Sequence, residues 1–448
     1  MPDHATIGID FGTTNSSVAR TLPDGTVDLV HFGNRSTSFR SLLYLEQLKQ
    51  GTRRVTQSFT GSLAIDRYVN RHAFAYTGDT EGRLIQSLKS YLPVASLTGT
   101  EVFGRRYTLE DLISRILTDL RLAAQDQFGF PVTRATVGRP VRFVGAESSE
   151  AETLALARLG AAYRAAGFEH ITFELEPVAA AFDYESTLAR DQTILIGDFG
   201  GGTSDFSLVR VGPSSRDLPP HDRVLGTSGL GLAGDAFDAR LVRRLVSPAL
   251  GSHSLARSLG NKSLPAVPAW IYANLERWHY LSFLRTRNVD EILRSAYARA
   301  IRQSEDPEMI AALITLIDED LGYQLHQAVQ RCKVALSAEP QAEFEFREHG
   351  LNLRVAVTRE QFELWIEPEL LAIQKAVADL LASSNTSPQS IDRVFLTGGT
   401  SFVPAVRRIF DLRFGAPKVV AGEAFTSVAR GLARSAASRV RRSGNSPA

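Results

Sequence analysis

Residues 194 to 209, "ILIGDFGGGTSDFSLV", set three consecutive glycines between two apolar runs and flank them with Asp198 and Asp205. A hairpin needs only two turn residues, and glycine weakens a strand through lost entropy, so a triple glycine exceeds what turning the chain requires. Backbone without side chains at Gly200, Gly201 and Gly202 can approach a ligand closely, and successive N–H groups in such a turn suit a phosphate. The carboxylates would repel a bare phosphate, and they become useful once a cation lies between. Mg²⁺ meets that need, because it keeps most of its waters and takes few carboxylates together with phosphate oxygens.

A second stretch echoes the first. "IGIDFGTTNSSVA", beginning at Ile7, has the same order of strand, Asp-Phe-Gly, small residues and strand, and it supplies Asp10. Thr13, Thr14 and Thr203 add hydroxyl donors to the two turns. Two copies this far apart do not make a solenoid; they indicate a duplicated lobe, each copy offering one glycine-rich hairpin to a shared cleft. Two phosphate hairpins and three carboxylates together read as a Mg-nucleotide clamp. A third turn, Gly398 and Gly399 in "VFLTGGTSFVPAVRRIF", follows a strand and precedes a helix, where backbone can pass close to a flat ring or a sugar.

Other motifs lead elsewhere and fail. "DFG" occurs twice, but there is no His-Arg-Asp loop and the glycines follow the aspartate, unlike a protein kinase. "GLGLAG", residues 229 to 234, matches the dinucleotide pattern, yet a preceding strand within a βαβ unit is not expected there and no acid lies about 20 residues on. No P-loop sequence is present.

The elements that must position these residues follow from periodicity. Residues 6 to 20 read as strand, tight turn, strand. Leu109, Leu112, Ile116 and Leu120 mark a helix over 109–127, followed by a strand at 132–138. "SSEAETLALARLGAAYRAAGF" is an alanine-rich amphipathic helix, and "ITFELEPVAAAFDYE" a strand, then a helix with Pro177 in its first turn. The stretch from about 253 to 338 is mostly helical, with Trp270, Trp278 and Phe283 expected in its core. Strands return near 343–357, and a helix runs over about 358–383. Strands alternating with helices imply an α/β architecture.

At 448 residues, 44% apolar, 22% charged and net +1, the chain has no global field pointing to nucleic acid or membrane. One cysteine, Cys332, excludes an intramolecular disulfide and reads as a small packing residue. The longest apolar run, "MIAALITLI", is too short to span a bilayer. With no leader pattern at the start, a cytoplasmic protein is expected. Only six of the 50 basic residues are lysines, which makes each lysine worth inspecting.

The four ordered motifs, from about residue 6 to residue 436, resemble the ATPase domain of the DnaK chaperone family, and most closely its short YegD-like members that lack a peptide-binding domain. "IGIDFGTTNSSVA" and "IGDFGGGTSDFSLV" are similar to its two phosphate motifs, "FELEPVAAAFDYE" to its interlobe connection and "VFLTGGTSFVPAVRRIF" to its adenosine motif. The resemblance implies an α/β, two-lobed actin-like fold (ribonuclease H-like and duplicated) with a central nucleotide cleft. It implies a lobe I over 1–192 and a lobe II over 193–418, the latter including the helical subdomain. A C-terminal helix over 419–440 would return to lobe I, with a tail at 441–448.

Residue by residue, the resemblance implies that Asp10, Asp198 and Asp205 hold the Mg²⁺ shell, largely through water, or position the attacking water. Gly12, Thr13, Thr14, Asn15, Gly200, Gly201, Gly202 and Thr203 would hold phosphates. Lys89 matches the lysine that meets the terminal phosphate; alone it reads as a solvated helix lysine, but the scarcity of lysine and the match of "LIQSLKSYL" reverse that. Glu176 matches the interlobe glutamate and Pro140 a switch proline. Gly234, Lys333, Ser337, Gly398, Gly399 and Thr400 match adenosine contacts. Gln330 stands in place of a glutamate, Ala233 in place of a glycine, and Phe402 in place of an arginine, where an aromatic ring can stack on the base.

The expectation is therefore a Mg-dependent, ATP-binding, slowly hydrolysing switch without its own peptide clamp, with ATP or ADP and Mg²⁺ as cofactors. A protein partner or co-chaperone is expected, and neither nucleic acid nor membrane. The alternatives are a small-metabolite kinase and a non-hydrolysing, nucleotide-gated interaction or filament protein.

Overall fold

The computed structural model describes residues 6–33, 35–50, 53–70, 81–186, 188–215, 218–257, 263–277, 280, 284–303, 306–421 and 427–444. The chain divides into two compact units. One comprises Met1–Ala233, Ile373–Phe402 and Val406–Ala448, the other Gly234–Ala372 and Val403–Ala405.

The first unit contains two mixed sheets built on one plan. In the first sheet, β1 (Ile7–Phe11) and β2 (Asn15–Thr21) form an antiparallel hairpin, and β3 (Val27–Leu29) pairs antiparallel with β2. On the other side, β4 (Arg134–Arg139) runs parallel to β1 and β5 (His170–Leu175) parallel to β4. The second sheet repeats this order. Strands β6 (Gln192–Phe199), β7 (Ser204–Val211) and β8 (Val224–Leu230) are antiparallel neighbours, while β9 (Arg393–Thr397) and β10 (Val419–Ala421) continue in parallel beyond β6. The duplication legible in two short hairpins thus extends to the connectivity of both sheets.

Why the first sheet holds together follows from its alternation. Ile7, Ile9 and Phe11 point to one face and enter a core with Leu112, Ile116 and Leu120 of the helix Leu109–Phe128 and Leu159 and Tyr163 of the helix Ser149–Ala165. The helix Leu109–Phe128 starts at a capping box between Thr108 and Asp111 and stops at Gly129, whose φ of 74° suits a left-handed cap. The opposite face of β1 is met by the helix Ser427–Gly444. There a side chain at Gly8 would place its Cβ 2.4 Å from the Ala433 nitrogen, and one at Gly431 would lie 1.8 Å from the Ala179 carbonyl oxygen. In the second sheet Phe199, Phe206 and Phe410 pack edge-on or tilted against one another.

A smaller sheet of Leu42–Gln50, Arg53–Thr60 and Glu81–Gln86 also belongs to the first unit. The second unit holds the helices Arg287–Gln303, Pro307–Asp318 and Gly322–Ala338 and the hairpin Gln341–Glu348 with Leu351–Thr358. Cys332 is buried there, as its packing role requires, and burial pushes its thiol up to about 11.

Three expectations need correction or limits. Trp270 is 46% exposed at the start of the helix Ala269–Leu275, so it is not core; Trp278 and Phe283 lie outside the described residues. The strand β8 runs into the start of "GLGLAG". The dinucleotide reading still fails, because β8 pairs antiparallel with β7 and so belongs to no βαβ unit there. The helix expected over 358–383 is two helices, Arg359–Trp365 and Glu367–Ser383. Residues 445–448 lie outside the described residues.

The close approach at Gly431 yields a direct test. Gly431→Ala must push the helix Ser427–Gly444 away from the Ala179 backbone, at a cost of about 1–3 kcal/mol. A lowered urea midpoint is expected; an unchanged midpoint would mean that the helix does not sit this close.

Candidate functional site

The hairpins come first, because they set the carboxylates. The turn between β1 and β2 contains Gly12, Thr13 and Thr14, with Asn15 opening β2 and accepting a hydrogen bond from Arg40 at 3.2 Å. A Cβ at Gly12 would lie 2.2 Å from the Asn15 carbonyl oxygen, so the turn admits no side chain at that position. The second turn, Gly200 to Thr203, closes with the Gly200 N–H donating to the Thr203 carbonyl at 2.8 Å. The Thr203 hydroxyl donates to Asp205 at 3.2 Å, which turns it toward the acids. Gly398 is forced by geometry too: its φ is +87°, and a Cβ would lie 1.9 Å from the Phe199 carbonyl oxygen.

The register of the second hairpin puts Asp198 directly opposite Asp205. Like charges directly across a strand pair repel, so the fold spends stability here. Thr397 of β9 lies beside Asp198 and donates its hydroxyl to the Asp198 carboxylate at 2.9 Å. Thr397 is a site residue that sequence reasoning missed; its signal was the parallel pairing of two strand ends about two hundred positions apart.

Lys89 is held from outside the sheets. After the strand Glu81–Gln86, Ser87 takes a left-handed conformation and starts the short 3-10 turn Leu88–Tyr91. Leu88 and Leu92 anchor that turn in the first core, and the Arg158 guanidinium holds the carbonyls of Leu92, Val94 and Leu97. Lys89 is therefore not a solvated helix lysine. Its ammonium donates to the Glu176 carboxylate at 2.8 Å, with the two side chains 10% and 17% exposed. Glu176 opens the short helix Glu176–Ala180, and Gly138 leaves room for it: a Cβ there would sit 3.0 Å from the Glu176 Cγ.

These five side chains act on one another electrostatically. Burial first, then Glu176 and Asp198, push Asp10 up to about 8 against the pull of Lys89. Asp205 rises to about 7 through burial, Asp198 and Glu176, and Asp198 rises mainly through burial and Glu176, opposed by its hydrogen bond from Thr397. Burial works to lower Lys89, but Glu176, Asp10 and Asp205 outweigh it and hold the ammonium above its usual range.

The carboxylates thus outnumber the cation that faces them, and an added divalent ion fits that imbalance. Among the described residues no three acidic, histidine or cysteine side chains converge closely enough to ligate an ion directly. The donor set fits an ion held through its waters, the mode Mg²⁺ favours.

A cavity of about 610 Å³ opens beside the acids, with Glu176, Asp198 and Asp205 on its wall together with Pro140. The remaining site residues fall elsewhere. In the second unit, Lys333 is bound to Asp238 at 2.7 Å and donates to the Gly234 carbonyl at 3.2 Å, and the Ser337 hydroxyl donates to the Lys333 carbonyl. In the first unit, Gly399 and Thr400 follow Gly398 in a 3-10 turn that ends at Phe402, whose ring is 56% exposed.

Comparison with known proteins agrees with this geometry. The family model described as Hsp70 protein matches residues 89–262 and 314–440, more than half of the chain. The chain belongs to the Hsp70 family. Its fold is accordingly the actin-like ATPase fold of that family. Among curated relatives, the chaperone protein DnaK of Thermotoga neapolitana and that of Thermotoga maritima are each 24% identical over 415 residues. DnaK of Thermosipho melanesiensis is 22% identical over 421 residues. Each alignment covers 91% of this chain but 55% of the relative, so the chain spans about half the length of the Hsp70 proteins it matches. No helix among the described residues is long and apolar enough to cross a membrane.

The raised carboxylates give a signed pH prediction. Unfolded, they titrate near 4; folded, Asp205 and Asp10 titrate near 7 and 8. Their contribution to stability is fully present below about pH 4 and is lost as pH rises through about 7 to 8. Metal-free, nucleotide-free protein should therefore lose stability from these groups between about pH 4 and 8, levelling off above that, and Asp10→Asn should flatten the loss. Scanning fluorimetry across pH reads both; a melting temperature that climbs over this interval contradicts the charge arrangement.

Proposed function

We propose that this chain binds Mg-ATP at the two glycine hairpins and hydrolyses it slowly, acting as a nucleotide-gated switch of the chaperone type. The observation that carries the reading is the half-buried meeting of Lys89 and Glu176 with Asp10, Asp198 and Asp205, next in sequence to two glycine-containing turns. Membership of a family of ATP-binding chaperones supports it. In this reading the N–H groups of Gly12 to Asn15 and of Gly200 to Thr203 receive phosphate oxygens, with Thr13, Thr14 and Thr203 adding hydroxyls. Mg²⁺, when bound through water to Asp10, Asp198 and Asp205, supplies charge neutralisation for the phosphates. Lys89 faces the charge that develops on the transferred phosphoryl group, Glu176 orients Lys89, and Asp205 orients the attacking water. Phosphoryl transfer asks the protein mainly for positioning and charge stabilisation, which this set provides.

Gly398, Gly399 and Thr400 in the first unit are proposed adenosine contacts. The exposed ring of Phe402 supports a stacking role on the base. The lobe boundaries expected from the sequence, 1–192 and 193–418, stay proposals of the same kind. So does a protein partner that reads the nucleotide state; such a partner requires states that differ in conformational free energy.

Phosphate release from purified protein with Mg-ATP tests the central claim. Lys89→Ala should lower the rate by about 10²–10³-fold, the usual cost of one charge-stabilising contact, with circular dichroism unchanged. Turnover that survives in this variant removes Lys89 from the mechanism. Phe402→Ala should weaken ATP binding by about 1–3 kcal/mol if the ring stacks, measured by calorimetry.

A further inference from the structure

The segment that carries Lys89 has little regular structure to hold it. After the 3-10 turn Leu88–Tyr91 comes the buried Pro93, which has no N–H and stops the turn from continuing. The backbone bonds here are local. Leu92 N–H donates to the Lys89 carbonyl at 3.3 Å, Val94 N–H to Tyr91 at 3.1 Å and Leu97 N–H to Val94 at 3.1 Å. Carbonyls left over in such a stretch need partners from elsewhere. Three carbonyls of this segment converge on one side chain.

That side chain is Arg158, 11% exposed in the helix Ser149–Ala165, whose Ala155, Leu159 and Ala162 are buried in the first core. Its Nη1 donates to the Leu92 carbonyl at 3.2 Å and to that of Val94 at 3.0 Å, and its Nη2 donates to that of Leu97 at 3.0 Å. Its Nε lies 3.4 Å from the carboxylate of Glu110, in the first turn of the helix Leu109–Phe128. All three nitrogens are engaged, so the guanidinium joins two core helices to the loop. A planar fork with five donors can span three carbonyls and a carboxylate, which the compact ammonium of a lysine cannot. Leu92 accepts from Arg158 and donates to Lys89, so one residue separates the guanidinium from the Lys89 backbone.

We propose that Arg158 is a positioning residue for Lys89. The proposal rests on the ATP reading given above. Arg158 fixes the backbone from which the Lys89 ammonium reaches Glu176 at 2.8 Å. Without it the carbonyls of Leu92, Val94 and Leu97 lose their shared donor, the turn shifts, and the ammonium no longer meets the charge that develops on the transferred phosphoryl group. Charge stabilisation of this kind depends on geometry, and a misplacement of about 1 Å can cost about 100-fold in rate. Among the described residues Arg158 bonds to Leu92, Val94, Leu97 and Glu110 and not to the glycine hairpins. Those hairpins hold the phosphates in the ATP reading, so nucleotide affinity is set apart from Arg158.

The test compares wild type with Arg158→Lys, Arg158→Ala and Leu120→Val, the last trimming the same core within the helix Leu109–Phe128. Calorimetry gives the affinity for Mg-ATP and the number of sites, and phosphate release is expressed per bound ATP, so unfolded protein does not count. Arg158→Lys should lower turnover per bound ATP about tenfold and Arg158→Ala by more, with the dissociation constant within about twofold of wild type. Leu120→Val should lower the melting temperature yet keep full turnover per bound ATP. Where the alanine variant fails to fold, the lysine variant decides. Full turnover per bound ATP in Arg158→Lys, or an equal loss in Leu120→Val, overturns the positioning role. Wild-type protein that neither binds nor hydrolyses Mg-ATP overturns instead the ATP reading on which it rests.

Discussion

The interaction on which the rest depends is the 2.8 Å ion pair of Lys89 and Glu176, set among three further half-buried carboxylates. A buried pair alone contributes little, since desolvation offsets much of the attraction. Here the surrounding acids oppose one another's ionisation, so Asp10 and Asp205 are pushed up to about 8 and about 7. The backbone that carries them is held by hydrophobic packing on one side, while a cavity opens on another. The first core anchors the Lys89 turn through Leu88 and Leu92, and the sheets fix Asp10, Asp198 and Asp205 by register. The cores thus hold together side chains whose charges conflict at one point.

The glycines belong to the same design. At Gly12 and Gly398 a side chain would collide with backbone, and at Gly229 it would come within 3.1 Å of the Asp205 carboxylate. These residues keep space clear around the charges rather than merely permitting turns. The duplicated sheets diverge at this point: Asp198 faces Asp205 across its hairpin, whereas the corresponding Asp10 faces Ser17. The second copy therefore carries the greater charge conflict, and Thr397 answers it with a hydroxyl.

What the sequence revealed was local. Triple glycine, Asp-Phe-Gly and two acids lie within a dozen residues of one another near residue 200, and a similarly short echo stands near residue 10, so Asp10, Asp198 and Asp205 were legible as a set. Helix limits near 109–128 were legible because Thr108 and Gly129 punctuate a clear apolar stripe. Lys89 needed the family resemblance: it sits after a strand whose sheet has mixed polar faces and weak alternation. Thr397 and the cavity wall depend on pairings between distant strands, which no local pattern encodes. Trp270 misled because aromatic residues at helical spacing suggest a core, while the start of a short helix can leave a ring in solvent.

The helix Ser427–Gly444 has a consequence for how the protein comes into being. It touches the backbone of Gly8 through Ala429, Leu432 and Ala433, more than four hundred residues away in sequence. On a ribosome the first strand emerges more than four hundred residues ahead of the element that covers one of its faces. The Asp10 hairpin must therefore wait, with one side open, until that helix has been made. Until then it is a natural point for a nascent-chain chaperone to hold.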